Sequence, residues 1–252
     1  MKKLKKPLIF SLVMLPIAAA GGYFITSYQI DMYDQATIDQ LINQGGNIGN
    51  LTLISVIQSV LYACILGFIG YILSEKIGLM KPFRFEKNKL IRVMVFSVLL
   101  GIVFSLDYWT FGSWIPEFNI SETMSAGLTL QGWLGAIFYG GVIEEVIMRL
   151  FCMSLLAWLG WKLLFRKKDS VPDWVIIIAN VIAALLFAAG HLPATISFFG
   201  GITPLLLIRC FLLNGGFGLF FGRVYRKYGI HYAMLAHTML HIVSKTIWVF
   251  FV

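Results

Sequence analysis

Seven apolar runs separated by short polar connections take up most of this chain: residues 7–28, 50–73, 90–109, 128–165, 173–190, 202–222 and 231–252. A helix rising 1.5 Å per residue crosses a hydrocarbon layer of about 30 Å with about 20 apolar residues. In that solvent every backbone N–H and C=O must be satisfied within the segment, which leaves the helix for runs of this length. The fold class that follows is all-α, a polytopic integral membrane protein of about seven or eight transmembrane helices around a polar intramembrane cavity. Hydrophobic residues make up 59% of the 252 and charged residues 13%, so no stretch remains for a separate soluble domain. We expect one integral-membrane domain over 1–252, with three spans and their loops in 1–127. The fourth run would reach about 57 Å as one straight helix. It must tilt, protrude or break in two.

The net charge of +8 comes from basic residues in the connections: Lys2, Lys3, Lys5 and Lys6, the stretch 76–92, Arg166 to Lys168, and Arg223, Arg226 and Lys227. The positive-inside rule places these connections and the N-terminus in the cytoplasm. The acidic connections, with Asp31, Asp34 and Asp39 and with Asp107, Glu117 and Glu122, then face outward, as does the C-terminus. Topology accounts for the charge, and no nucleic-acid partner is implied. The basic start followed by an apolar core and Ala18-Ala19-Ala20 imitates a secretory signal, but the run continues to Tyr28 and reads as a first span. Cys64, Cys152 and Cys210 fall in separate runs and are expected to be buried reduced thiols. Trp109, Trp114, Trp133, Trp174 and Trp248 suit an interfacial aromatic belt, and His231 reads as interfacial. Arg209 is expected to pair with a carboxylate.

Against this background, three polar stations stand out. Glu144, Glu145 and Arg149 sit inside the fourth run. On a helix Glu145 and Arg149 share a face and can pair, while Glu144 is rotated about 100° away. His191 ends the fifth run. His237 and His241 share a face of the seventh, with Lys245 one turn on. These include three of the chain's four histidines. Uncompensated polar groups in lipid cost several kcal/mol each, so the three stations should converge around a wet cavity. A carboxylate beside histidines is a general-base apparatus. Glu144 could take a proton from water that His191 holds, and His237 with His241 could donate to the oxyanion formed at a peptide carbonyl.

The same residues carry a resemblance. Glu144-Glu145-Val146-Ile147-Met148-Arg149 has the pattern EExxxR, Phe187 to His191 has FxxxH, and His237 to His241 has an HxxxN-type spacing. The glycine-rich stretch 214–229, ending Tyr225-Arg226-Lys227-Tyr228-Gly229, is similar to a further motif. From about residue 128 onward the chain resembles the CAAX prenyl protease and bacteriocin-processing (CPBP) family of intramembrane proteases. The resemblance implies a catalytic core in 128–252 and endopeptidase activity on a membrane-associated peptide or protein tail. It also implies that Glu144 and His191 activate water and that His237 and His241 stabilise the oxyanion, although His241 stands where the family commonly has Asn. Glu145 and Arg149 are supporting residues in this reading, and the bilayer is the medium.

Substrate is expected near Phe187 and the segment from Asn214 to Gly216, whose small residues would interrupt the sixth span. A glutamate mechanism without a metal is favoured. Zinc is possible, with Glu144, His191, His237 and His241 as the ligands in kind, but the HExxH helix is absent. Residues 192–201, bounded by Pro193 and Gly200-Gly201, could dip back into the protein. One conflict stands: His191 falls near the outer end of its run and His237 near the inner end of its own, so straight helices with level ends would keep them apart. The alternatives in other functional classes are a proton-coupled transporter using the same residues as a relay, and a non-catalytic immunity or regulatory membrane protein.

Overall fold

The computed structural model describes residues 4–33, 35–115 and 128–251. Lys2, Lys3, Asp34, Glu117 and Glu122 of the charge reading lie outside the described residues. Within them the chain is helical and contains no strand. The helices are α1 (Lys5–Met32), α2 (Gln35–Gly45), α3 (Ile48–Lys76), α4 (Lys87–Ser105), α5 (Phe111–Trp114), α6 (130–164), α7 (Asp173–Gly190), α8 (Leu192–Phe199), α9 (Pro204–Tyr228) and α10 (Ile230–Phe251). Among the described residues, six stretches are long and apolar enough to cross a membrane: α1, α3, α4, α7 with α8, α9 and α10. The seventh apolar run is α6, whose middle carries Glu144, Glu145 and Arg149.

The fourth run therefore does not break in two. It is one continuous helix of about 52 Å, with π-helical stretches at Ala136–Ile143 and Val146–Met153 on either side of the two glutamates. Such widened turns occur frequently at functional sites. The sixth span is not interrupted either: the turn over Phe211–Gly216 is π-helical, and the helix runs on.

To the main core cluster α1 gives Phe10, Met14 and Ala18, α6 gives Ile143, Val146 and Leu150, α9 gives Phe221 and Tyr225, and α10 gives Ala236 and Leu240, while Phe111, Ile115, Leu206 and Trp248 form a second, smaller one. Helices in lipid gain little from the hydrophobic effect and pack by close approach at small residues. At Gly70 of α3 a methyl group would lie 2.7 Å from the Leu150 carbonyl oxygen of α6. A buried hydroxyl chain ties three helices at the inner side, with Tyr225 Oη 2.7 Å from both Ser74 Oγ and Ser154 Oγ.

Connection 77–86 packs beneath the start of α10. His231 Nε2 lies 3.1 Å from the Arg84 carbonyl oxygen, and the Glu86 backbone N–H donates to Tyr232 Oη at 2.7 Å. His231 is therefore buried against Phe83 and Phe85, and is not interfacial as the sequence suggested. In the same connection, the hydrogen bond from Lys89 holds the Glu86 carboxyl below the usual carboxylate range.

Two further expectations change. Trp109, Trp114 and Trp174 are exposed, but Trp248 is buried and its Nε1 donates to the Ser105 carbonyl at 2.9 Å. Asp107 is not a solvated loop acid. It is buried and accepts from Arg209 Nε at 2.9 Å, the carboxylate partner anticipated for that arginine. All three cysteines are free thiols, with Cys210 buried and the other two partly so.

Candidate active site

On α6 the two adjacent carboxylates point to different surroundings. Glu145 is 0% exposed and packs where α6 meets α10; its Oε1 lies 3.1 Å from Arg149 Nη1 and 2.9 Å from His237 Nδ1. The arginine contact is an ion pair off the line of a good hydrogen bond. Arg149, itself 2% exposed, sends Nη2 to the Gly218 carbonyl oxygen at 3.1 Å, and its guanidinium lies over the rings of Phe187 (4.6 Å) and Phe221 (5.5 Å). A buried charge of this kind is tolerable because it is paired, hydrogen-bonded and stacked. Glu144 is turned away from all of this, retains 19% of its side-chain exposure, and lines a cavity.

His191 closes α7. Its Nδ1 is 2.8 Å from the Phe187 carbonyl oxygen, its Nε2 is 3.9 Å from Glu144 Oε1, and its ring packs edge-on to Phe187 at 4.7 Å. A carbonyl oxygen can only accept, so Nδ1 carries a hydrogen, and in the neutral ring Nε2 is bare. On α10, His237 stacks on Phe221 at 4.3 Å, and its Nε2 lies 3.1 Å from His241 Nε2.

Glu144, His191, His237 and His241 all line one cavity of about 520 Å³, together with Phe187, Asn214 and Lys245. Asn214 uses its amide on the Cys210 carbonyl of its own helix at 3.0 Å. Gly216 faces a second, apolar cavity of about 450 Å³ between α4, α5 and α9. Gly215 faces Ala184 and Ala188 of α7. The short helix α8, begun by Pro193 and ended by Gly200 at φ +69°, puts Thr195 on the cavity wall.

Staggered helix ends remove the conflict over depth. Counted at 1.5 Å per residue, Glu145 stands about 29 Å from the inner end of α6 and His191 about 27 Å from that of α7, while His237 is only about 10 Å from the start of α10. Connection 77–86 fills the space below α10, so the three residues reach one level although their helices do not start at one plane. Residues missed at the sequence level include Gly140: a methyl group there would lie 3.1 Å from His241 Nε2 and 3.9 Å from Glu144 Oε2. No signal in a single sequence distinguishes that glycine from its neighbour Gly141.

Among the described residues, no group of three His, Cys, Asp or Glu side chains is arranged to hold a metal ion. The arrangement instead presents a cavity-facing carboxylate beside a bare imidazole nitrogen.

No curated protein and no solved structure matches the chain. A family model does match, that of the type II CAAX prenyl endopeptidase Rce1-like, over residues 126–243. The matched span contains every residue of the three motifs and both walls that carry Glu144 and His191. Over residues 126–243, this multi-pass membrane protein is similar to the type II CAAX prenyl endopeptidases, the family that its motifs resemble.

Proposed function

We propose that the chain is an intramembrane endopeptidase that hydrolyses a peptide bond in a membrane-associated peptide or protein tail, with Glu144 as general base. The observation that carries this reading is the apposition of Glu144 Oε1 and His191 Nε2, 3.9 Å apart on a cavity wall. A water at about 2.8 Å from each is sterically simple. Both neighbours are acceptors, so that water gives both hydrogens away and turns its lone pairs outward, toward a substrate carbonyl. As its oxygen bonds to the carbonyl carbon, Glu144 takes one proton. The C–N bond then breaks as that proton passes to the leaving amine.

Glu145, neutralised by Arg149, holds His237 in place and takes no proton itself. Phe187 and Asn214 border the same space and are proposed to contact substrate, whereas Gly216, in the separate apolar cavity, would reach only a chain threaded across α9. The plasma membrane is the proposed location.

The test is cleavage of membrane-anchored peptides by purified protein in lipid nanodiscs. Glu144→Gln and His191→Ala should each lower the rate by about 10²–10⁴-fold, the usual worth of a general base, with unchanged thermal midpoints. Wild-type rates in both variants would remove the reading, and ion flux without cleavage would replace it with transport.

A further inference from the structure

The cavity is placed asymmetrically in the depth of the membrane. By the positive-inside rule the inner ends of the spans are those that carry Lys5 and Lys6 on α1, Lys76 on α3, Lys87 on α4, and Arg226 and Lys227 on α9. The cavity walls belong to the other side. α1 lines it with Tyr28, Gln29 and Met32 near its outer end, α4 with Phe104, and α7 with Leu186 and Gly190 in its last turns. Along α6 the lining starts at Gly132, in the helix's first turn, and ends at Met148, about 24 Å short of the inner end.

Below that level the helices close on one another. His237 stacks on Phe221 at 4.3 Å, and the Arg149 guanidinium lies over Phe187 and Phe221. One turn further in, Tyr225 Oη bridges Ser74 of α3 and Ser154 of α6 at 2.7 Å each, and connection 77–86 is fastened under α10 through Tyr232. The residues of this floor are at most 6% exposed, whereas the side chains of Glu144 and His191 above it keep 19% and 33%. That exposure does not come through the floor. Among the described residues, neither water nor substrate has a way to Glu144 from the cytoplasmic side.

We propose that the cavity opens to the outer face of the membrane and that its substrate is a peptide segment presented at the outer leaflet, such as an exported peptide or the external flank of a membrane-anchored chain. A tail confined to the cytoplasm does not reach Glu144. This rests on the hydrolytic reading above and gives it a side. Glu144 lies about 21 Å from the outer start of α6, and an extended chain covers about 3.3–3.6 Å per residue, so the scissile bond sits about six residues in from the point where the segment enters.

The experiment has two arms, both in membranes of a bacterial host in which the protein keeps its native orientation. In a background lacking the three native cysteines, Gln29→Cys reports the cavity and Lys167→Cys the inner connection. A membrane-impermeant maleimide should label Gln29→Cys in spheroplasts and leave it unlabelled in sealed inverted vesicles, with the reverse for Lys167→Cys. Labelling of Gln29→Cys from the cytoplasmic face alone, or of Lys167→Cys from outside, would overturn the proposal. In the second arm, a fluorogenic peptide carrying a single acyl chain is added to the same preparations. Cleavage should occur in spheroplasts, be lost with Glu144→Gln, be absent in sealed inverted vesicles, and return when those vesicles are permeabilised. Cleavage by sealed inverted vesicles, whether alone or at the rate of spheroplasts, would overturn the outward opening and leave Glu144 as the base. Cleavage in no preparation, permeabilised vesicles included, would overturn the hydrolytic reading and the substrate proposed here with it, whatever the labelling shows.

Discussion

Glu144 and Glu145 are neighbours in sequence, and their environments differ because a helix turns about 100° per residue. Glu145 enters a dry contact where Arg149 and His237 converge on one oxygen, and Glu144 enters the cavity. Removing one member of a buried ion pair leaves the other charged and uncompensated, at a cost of about 3–5 kcal/mol. We therefore expect Arg149→Ala to lower the thermal midpoint in detergent sharply and to deplete folded protein, whereas Glu144→Gln leaves the midpoint where it was. An Arg149→Ala protein of normal stability would show that Glu145 has another source of compensation. The Glu145–Arg149 pair was legible in the four-residue spacing. That Glu145 also holds His237 was not, because the direction a ring faces across a helix contact is decided by packing. The same holds for Trp248 and His231, which read as interfacial in sequence and are buried because a partner element covers them.

Among the helices, hydrophobic runs located the spans to within a few residues, since length and apolarity are local properties. What sequence did not disclose was their relative height. The depth conflict between His191 and His237 followed from assuming that helices end at common planes, and the packing of connection 77–86 beneath α10 is a long-range fact. Nor was it legible which glycines meet a neighbouring backbone. Gly70 lies against the Leu150 carbonyl of α6, the helix that positions Glu144, whereas nothing lies within 4 Å of a methyl group at Gly216. Gly70→Ala should thus push α3 and α6 apart, costing about 1–3 kcal/mol of stability as overpacked sites do, and should reduce cleavage as well. Gly216→Ala should be neutral in both assays. Equal tolerance at the two sites would mean that α3 and α6 are not in contact as described.

For the molecule as a whole, the account reduces to a polar cavity built inside an apolar body. Seven helices contribute α-helical or π-helical walls, and the ionisable groups that would be costly in hydrocarbon face one another across about 520 Å³. Substituted-cysteine labelling tests this most directly. In a background lacking Cys64, Cys152 and Cys210, a cysteine replaces either Glu144 or Leu185, a half-exposed residue of α7 outside the cavity lining. A charged methanethiosulfonate reagent, which reacts with ionised thiols in water, is then added to protein in nanodiscs. The account predicts rapid labelling at position 144 and none at 185. Position 144 labelled no faster than 185 would place the carboxylate against lipid and contradict it.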